Sequence, residues 1–138
     1  MKKKQSDTKR VSAYENLQTE VRTLSLPAIE VWENMYADKD YWITVDVPEF
    51  TCICPKTGLP DFATIQIKYR PHNHCIELKS FKYYLTAYRP VGIFHEHVVN
   101  KLLEDLVKAV KPREMSVNGV FNPRGGITTS VSATYRKK

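Results

Sequence analysis

The sequence predicts an α+β fold: an antiparallel four-stranded sheet with two helices on one face, in the order ββααββ. Three observations lead there. Two stretches with alternating apolar residues come before residue 70. A broad apolar stripe at 3.6-residue spacing fills residues 94–110, and two more alternating stretches follow it. Period two marks half-buried strands and period 3.6 marks an amphipathic helix. Strands on both sides of a helical centre fit a layer pair with one sheet face covered.

The first strand is expected from Tyr41 to Val47, where Ile43, Val45 and Val47 alternate with Thr44 and Asp46 and Pro48 ends the run. The second is Phe62–Tyr69, with Ala63, Ile65, Ile67 and Tyr69 on one face. Arg70–His74 is a turn, and Cys75–Leu78 a short extended piece. Ser80 is a suitable cap for a helix beginning at Phe81 and stopping before Arg89-Pro90. The second helix carries Phe94, Val98, Leu102, Leu106 and Val110, with Val99, Leu103 and Val107 beside them, and Pro112 closes it. Met115–Phe121 and Ile127–Tyr135 are the last strands, joined by the turn Asn122–Gly126. Before the sheet, 13–40 reads as an arm lying on the core or on a neighbouring subunit, with mild helical character at 14–23 and the anchors Ile29, Val31 and Trp32. Residues 1–12, polar and charged, read as a disordered basic tail.

The chain has 138 residues, enough for one domain with a real core. Its net charge of +6 belongs to its ends: residues 1–10 carry +4, residues 136–138 carry +3, and residues 11–135 sum to −1. That distribution argues against nucleic-acid binding by the folded part. No apolar run is long enough to span a bilayer and no secretory leader follows Met1. Three cysteines, an odd number, suit free thiols in a reducing cytoplasm. There is no G-x-G-x-x-G and no P-loop, so a nucleotide needs another device.

Four groups of residues carry potential chemistry. In Cys54-Pro55-Lys56-Thr57-Gly58-Leu59-Pro60-Asp61, two prolines and a glycine stiffen a loop with a thiol at one end and a carboxylate at the other. That is a nucleophile and a proton donor on one element, or a tight turn with a packing cysteine and a solvated aspartate. Glu77 stands at a strand end, and Lys79, Ser80 and Lys82 stand where a helix begins, a setting for phosphate or a plain capped helix. Phe94-His95-Glu96 opens the long helix with a group that titrates near neutrality and a carboxylate able to accept paired ring N–H donors. Arg124 beside Gly125-Gly126 suits a bidentate phosphate contact or a simple hairpin. His72, His74, Cys75, His95 and His97 do not fall into a standard zinc spacing, and Cys52-x-Cys54 is no C-x-x-C, so no metal site is expected.

Together PEFTCICPKTGLPDFATI (Pro48–Ile65), ELKSFKYYL (Glu77–Leu85), FHE (Phe94–Glu96) and NPRGGI (Asn122–Ile127) resemble the NADPH-dependent 7-cyano-7-deazaguanine reductases, the nitrile reductases of queuosine biosynthesis. The resemblance runs from about Leu26 to Tyr135 and implies a tunnelling fold, with 41–135 as the catalytic domain and 136–138 as a basic tail. It implies that Cys54 adds to the nitrile carbon to give a thioimide and that Asp61 relays protons. It implies that Glu77 and Glu96 bind the deazaguanine ring, with Ile76, Leu78 and His95 beside it, and that Lys79, Ser80, Lys82 and Arg124 hold NADPH. His95 and Lys56 are candidates for lowering the thiol's pKa. Two hydrides convert the nitrile to an aminomethyl group by way of a thiohemiaminal and an imine. The resemblance further implies a cytoplasmic homodecamer of two pentamers with active sites between subunits. One departure is Val98, where some relatives carry a second cysteine. A related tunnelling-fold enzyme of GTP cyclohydrolase or pterin-acting type is the alternative.

Overall fold

A computed structural model describes residues 18–138. The tail expected at 1–12 and the beginning of the helical stretch at 14–23 lie outside those residues. What remains of that stretch holds a single 3-10 turn, Val21–Thr23.

Six strands and two helices follow: β1 Val31–Glu33, β2 Ile43–Ile53, β3 Pro60–Arg70, β4 His74–Ile76, α1 Leu78–Thr86, α2 His95–Val110, β5 Glu114–Arg124 and β6 Ile127–Arg136. The architecture is α+β with two helices and antiparallel sheets. The long strands pair in the order β2-β3-β5-β6, and β1 pairs separately with β4. The short strands β1 and β4 are an addition to the expected ββααββ order. They hold the arm on its own chain, with Val31 opposite Ile76 and Glu33 opposite His74.

Alternation in β3 and β5 puts Ala63, Ile65, Ile67 and Tyr69 beside Met115, Val117 and Phe121, all buried. Onto that face α2 lays Val98, Val99, Leu102, Leu103, Leu106 and Val110, also buried. Each such side chain contributes about 1.5–3 kcal/mol by leaving water. Lys111 ends the helix in the left-handed conformation (φ 52°), its N–H bonded to the Val107 carbonyl, and Pro112 prevents continuation.

Several element boundaries shift from expectation, β5 among them, which runs through the first residues of the expected Asn122–Gly126 turn to Arg124, and two of the shifts bear directly on the site. β2 does not stop at Pro48 but runs on to Ile53. Val47 faces Ile65 and Phe50 faces Ala63, so Pro48 and Glu49 share the place opposite Thr64. This is a β-bulge, and β2 is an edge strand; both circumstances tolerate a residue without an N–H. The extra residue also changes phase. Ile43, Val45 and Val47 are the inward set before it, and buried Phe50 and Cys52 are the inward set after it. α1 begins at Leu78 rather than Phe81, and its cap is Glu77 rather than Ser80. The Glu77 carboxylate accepts the amides of Lys79 and Ser80 at 3.1 and 2.7 Å, which satisfies donors that the first turn leaves unpaired.

Gly119 allows α2 to lie close on β5. A Cβ there would stand 2.9 Å from Val99 Cγ2, 3.0 Å from Ile65 Cδ1 and 3.2 Å from Phe121 Cε1. Val99 is β-branched and fully buried, with little freedom to turn aside. Gly119→Ala is therefore expected to lower unfolding free energy by about 1–2 kcal/mol in a denaturant titration, even though alanine suits a strand better than glycine.

Candidate active site

The β2–β3 connection is tied at several points. The Cys54 N–H donates to the Leu59 carbonyl (2.8 Å), Gly58 N–H to the Cys54 carbonyl (2.9 Å) and Leu59 N–H to Thr57 Oγ1 (3.2 Å). Gly58 takes φ 73°, a conformation that a side chain would strain. Since the bulge has shifted the alternation, Cys54 continues the inward series of Phe50 and Cys52 and stands half-buried at the strand end. Burial pushes its thiol up. The Thr57 hydroxyl and the Thr57 and Lys56 amides hydrogen-bond the sulfur and outweigh burial, although Asp61 opposes them. The net effect holds Cys54 below an ordinary cysteine. Lys56 acts here through its backbone amide, and Thr57 is a contributor that sequence reasoning missed.

The other cysteines are chemically quiet. Cys52 is fully buried, and burial first, with the charges of Asp61 and Cys54, pushes its thiol up to about 12. Burial also raises Cys75, against hydrogen bonds from Tyr41 and Tyr69. All three are free.

Asp61 lies opposite Cys52 in the β2–β3 ladder and is 7% exposed. One carboxylate oxygen, Oδ2, is 3.1 Å from His95 Nε2, and the other, Oδ1, is 3.3 Å from Arg124 Nη2. His95, the first residue of α2, stacks on Phe121 with ring centroids 3.7 Å apart and planes at 8°. The helix start is brought there by backbone bonds between Ile53 and the segment before α2: Ile53 N–H to the Val91 carbonyl (2.9 Å) and Ile93 N–H to the Ile53 carbonyl (3.0 Å). Glu96, next along α2, is exposed. Thus Asp61, His95 and Arg124 gather from two strands and a helix beside the loop that carries Cys54.

The remaining expected residues form a second group around the start of α1. Glu77, Lys79 and Ser80 line a cleft of about 530 Å³ with Pro27, Ala28, Glu30 and Tyr83, a lining that includes neither Cys54 nor Asp61. Hydrogen bonds from Ser80 and Lys79 hold the Glu77 carboxyl below its usual range, against burial, so it stays ionised. Ser80 is buried, its hydroxyl donating to the Glu77 carbonyl and accepting from the Glu30 amide, both at 2.8 Å. Ile76 is buried, its amide taken by the Tyr69 hydroxyl and its carbonyl by the Trp32 indole; Leu78 is exposed.

For a dinucleotide phosphate, the Lys79, Ser80 and Phe81 amides of α1 and the Ser80 hydroxyl are already committed within the chain. What fits the anion is the pair of exposed ammonium groups, Lys79 and Lys82, neither within 4 Å of a carboxylate oxygen among the described residues. Lys82 lies 5.5 Å over the Tyr83 ring, a surface on which a base or ring can rest. Among the described residues, no three His, Cys, Asp or Glu side chains cluster as a metal site, and no helix is long and apolar enough to cross a membrane.

The fold defines a class, the QueF-like α+β proteins. The crystal structure of the archaeosine synthase QueF-Like in the apo form shares the fold, with a TM-score of 0.63 over 67% of this chain and 91% of that one at 24% identity. The family model described as QueF-like protein matches residues 60–138. The chain belongs to the family of the NADPH-dependent 7-cyano-7-deazaguanine reductases. It is 56% identical to the enzyme of that name from Chloroherpeton thalassium (78% of this chain, 92% of the relative). Identity is 55% to that of Elusimicrobium minutum (82% and 85%) and 54% to that of Chlorobaculum tepidum (79% and 93%).

Of the three thiols, Cys54 is expected to react first with iodoacetamide, as read by peptide mass mapping of the native protein. Thr57→Val removes the hydroxyl bonded to the sulfur, so the midpoint of alkylation rate against pH should move upward and the rate at pH 7 should fall several-fold.

Proposed function

We propose that the protein reduces the nitrile of 7-cyano-7-deazaguanine to the aminomethyl group of 7-aminomethyl-7-deazaguanine with NADPH, through a covalent thioimide on Cys54. The supporting observation is a half-buried Cys54 thiol held below the ordinary range beside a buried Asp61. In the first step the sulfur–carbon bond forms and one carbon–nitrogen π bond breaks. The thiol's proton ends on the nitrile nitrogen, conveyed by the Asp61 carboxyl. The product is a neutral thioimide whose carbon is more electrophilic than that of a nitrile. His95, held by Phe121, keeps one Asp61 oxygen directed.

Ring binding falls to Glu77 and Glu96, with Ile76 and Leu78 beside the ring. A carboxylate accepts the paired N–H donors of a guanine-like edge, and the capping bonds that keep Glu77 ionised also fix its direction. Lys79 and Lys82 clamp the cofactor's phosphates, the outward N–H groups of Arg124 are available to the same anion, and Ser80 braces the helix that carries the lysines. Bound NADPH supplies the hydride, twice for each nitrile.

The proposed assembly is a homodecamer of two pentamers in the tunnelling fold, working in the cytoplasm in the route to queuosine in tRNA. Two features support sites shared between subunits. β2 and β6 are open edges of the four-stranded sheet, and Glu77 and Lys79 line a cleft that does not include Cys54.

Nitrile-dependent NADPH oxidation should be lost, by at least about 10³-fold, in Cys54→Ala. With the nitrile alone, wild type should gain the substrate's mass on the Cys54 peptide; normal turnover by Cys54→Ala would refute the thioimide. Lys82→Ala should raise the KM for NADPH roughly tenfold while leaving formation of the nitrile adduct unchanged, and equal damage to both would remove Lys82 from the cofactor site.

A further inference from the structure

We infer that Arg124 is a positioning residue for the covalent step, acting through Asp61 before any cofactor is engaged; this rests on the nitrile-reductase reading and deepens it. One guanidinium nitrogen, Nη2, reaches both the Asp61 carboxylate (3.3 Å to Oδ1) and the Pro60 carbonyl (2.5 Å). The two contacts fall on adjacent residues at the start of β3, so the guanidinium fixes the strand end and its carboxylate together. His95 holds the opposite oxygen of that carboxylate at 3.1 Å. The side chain is thereby gripped at both oxygens, and neither can swing away from the thiol without breaking a charge-assisted contact.

β5 supplies Arg124 and also the ring behind His95. Phe121 supports the His95 ring from below, and Arg124 lies three residues further on, just before the Gly125-Gly126 turn. The turn has φ 58° and 79° at its two residues, the pattern of a tight hairpin whose twist matches its strands. A register shift between Phe121 and Arg124 on the β6 side sets this end of β5 apart from the regular ladder. The ladder of β3 with β5 pairs Ala63 with Phe121; continued past its last pair, it brings Arg124 opposite Pro60. Arg124 remains 46% exposed, so its other N–H donors stay available to an anion and the two tasks do not exclude each other.

The separating experiment is adduct formation from the nitrile alone, without NADPH, followed by mass spectrometry in single turnover. Four proteins are compared: wild type, Arg124→Ala, Asp61→Asn and the double variant. If Arg124 works through Asp61, Arg124→Ala slows the adduct about 10–100-fold in the wild-type background and less than twofold in the Asp61→Asn background. Arg124→Lys should recover part of the rate, since an ammonium reaches the carboxylate without spanning to the Pro60 carbonyl as well. An adduct rate unchanged in Arg124→Ala overturns the inference, and so does the same loss in both backgrounds. Absence of any adduct in wild type would instead overturn the nitrile-reductase reading. Thermal unfolding of each variant is measured alongside. An Arg124→Ala protein that melts with wild type yet forms adduct slowly supports positioning, and one whose slow rate is restored at a temperature where it is fully folded overturns it.

Discussion

One inserted residue sets the direction of the Cys54 thiol. Strand geometry allows a side chain only two faces, and a count of residues decides between them. With Pro48 and Glu49 both opposite Thr64, Phe50 and Cys52 turn inward where Thr51 and Ile53 would otherwise have done so. Cys54 follows in the same phase, toward the side where Asp61, the start of α2 and the end of β5 meet. Without the bulge the same loop, with the same composition, would present its thiol to the opposite face of the sheet. The hydrogen bonds to the sulfur from Thr57 and Lys56 then act on a group whose place has already been fixed.

Around that thiol the supports form a closed set. Ile53 fastens the segment before α2, α2 presents His95, Phe121 holds the ring, and Arg124 and His95 divide the oxygens of Asp61. The close approach of α2 to β5 at Gly119 makes the stack possible, since any larger residue there would press on Phe121 itself. Rigid strands and a helix terminus, rather than loops, carry most of these residues, and rigidity of that kind limits how far the Asp61 carboxyl drifts from its place.

Much of the scaffold was legible in the sequence because it is written in period. The stripe of α2 and the alternation of β3 and β5 each repeat one physical demand many times. Pro48 misled because a missing N–H reads as a stop in isolation, whereas an edge strand with a bulge has no use for that N–H. Ser80 misled because serine is the commoner cap, while the Glu77 carboxylate starts the helix three residues earlier by accepting the Lys79 and Ser80 amides. The candidate site can be read from the sequence only as a set of residues, not as an arrangement. Cys54 and Asp61 share a loop, but Asp61 and Arg124 are 63 positions apart and meet only through the β3–β5 register. Thr57 gave no signal beyond its place in a turn. The committed hydroxyl of Ser80 is likewise a fact of packing, unavailable to any spacing argument.

The company that Cys54 keeps also decides its fate under oxidation. Cys52 is two residues away, yet it is sealed in the core with its thiol pushed up to about 12, and position 98 holds a valine on the buried face of α2. Neither can serve as a resolving partner. A sulfenic acid at Cys54 is therefore left to thiols arriving from solution, and small-molecule thiols rather than an internal bridge become its route back to the reduced state.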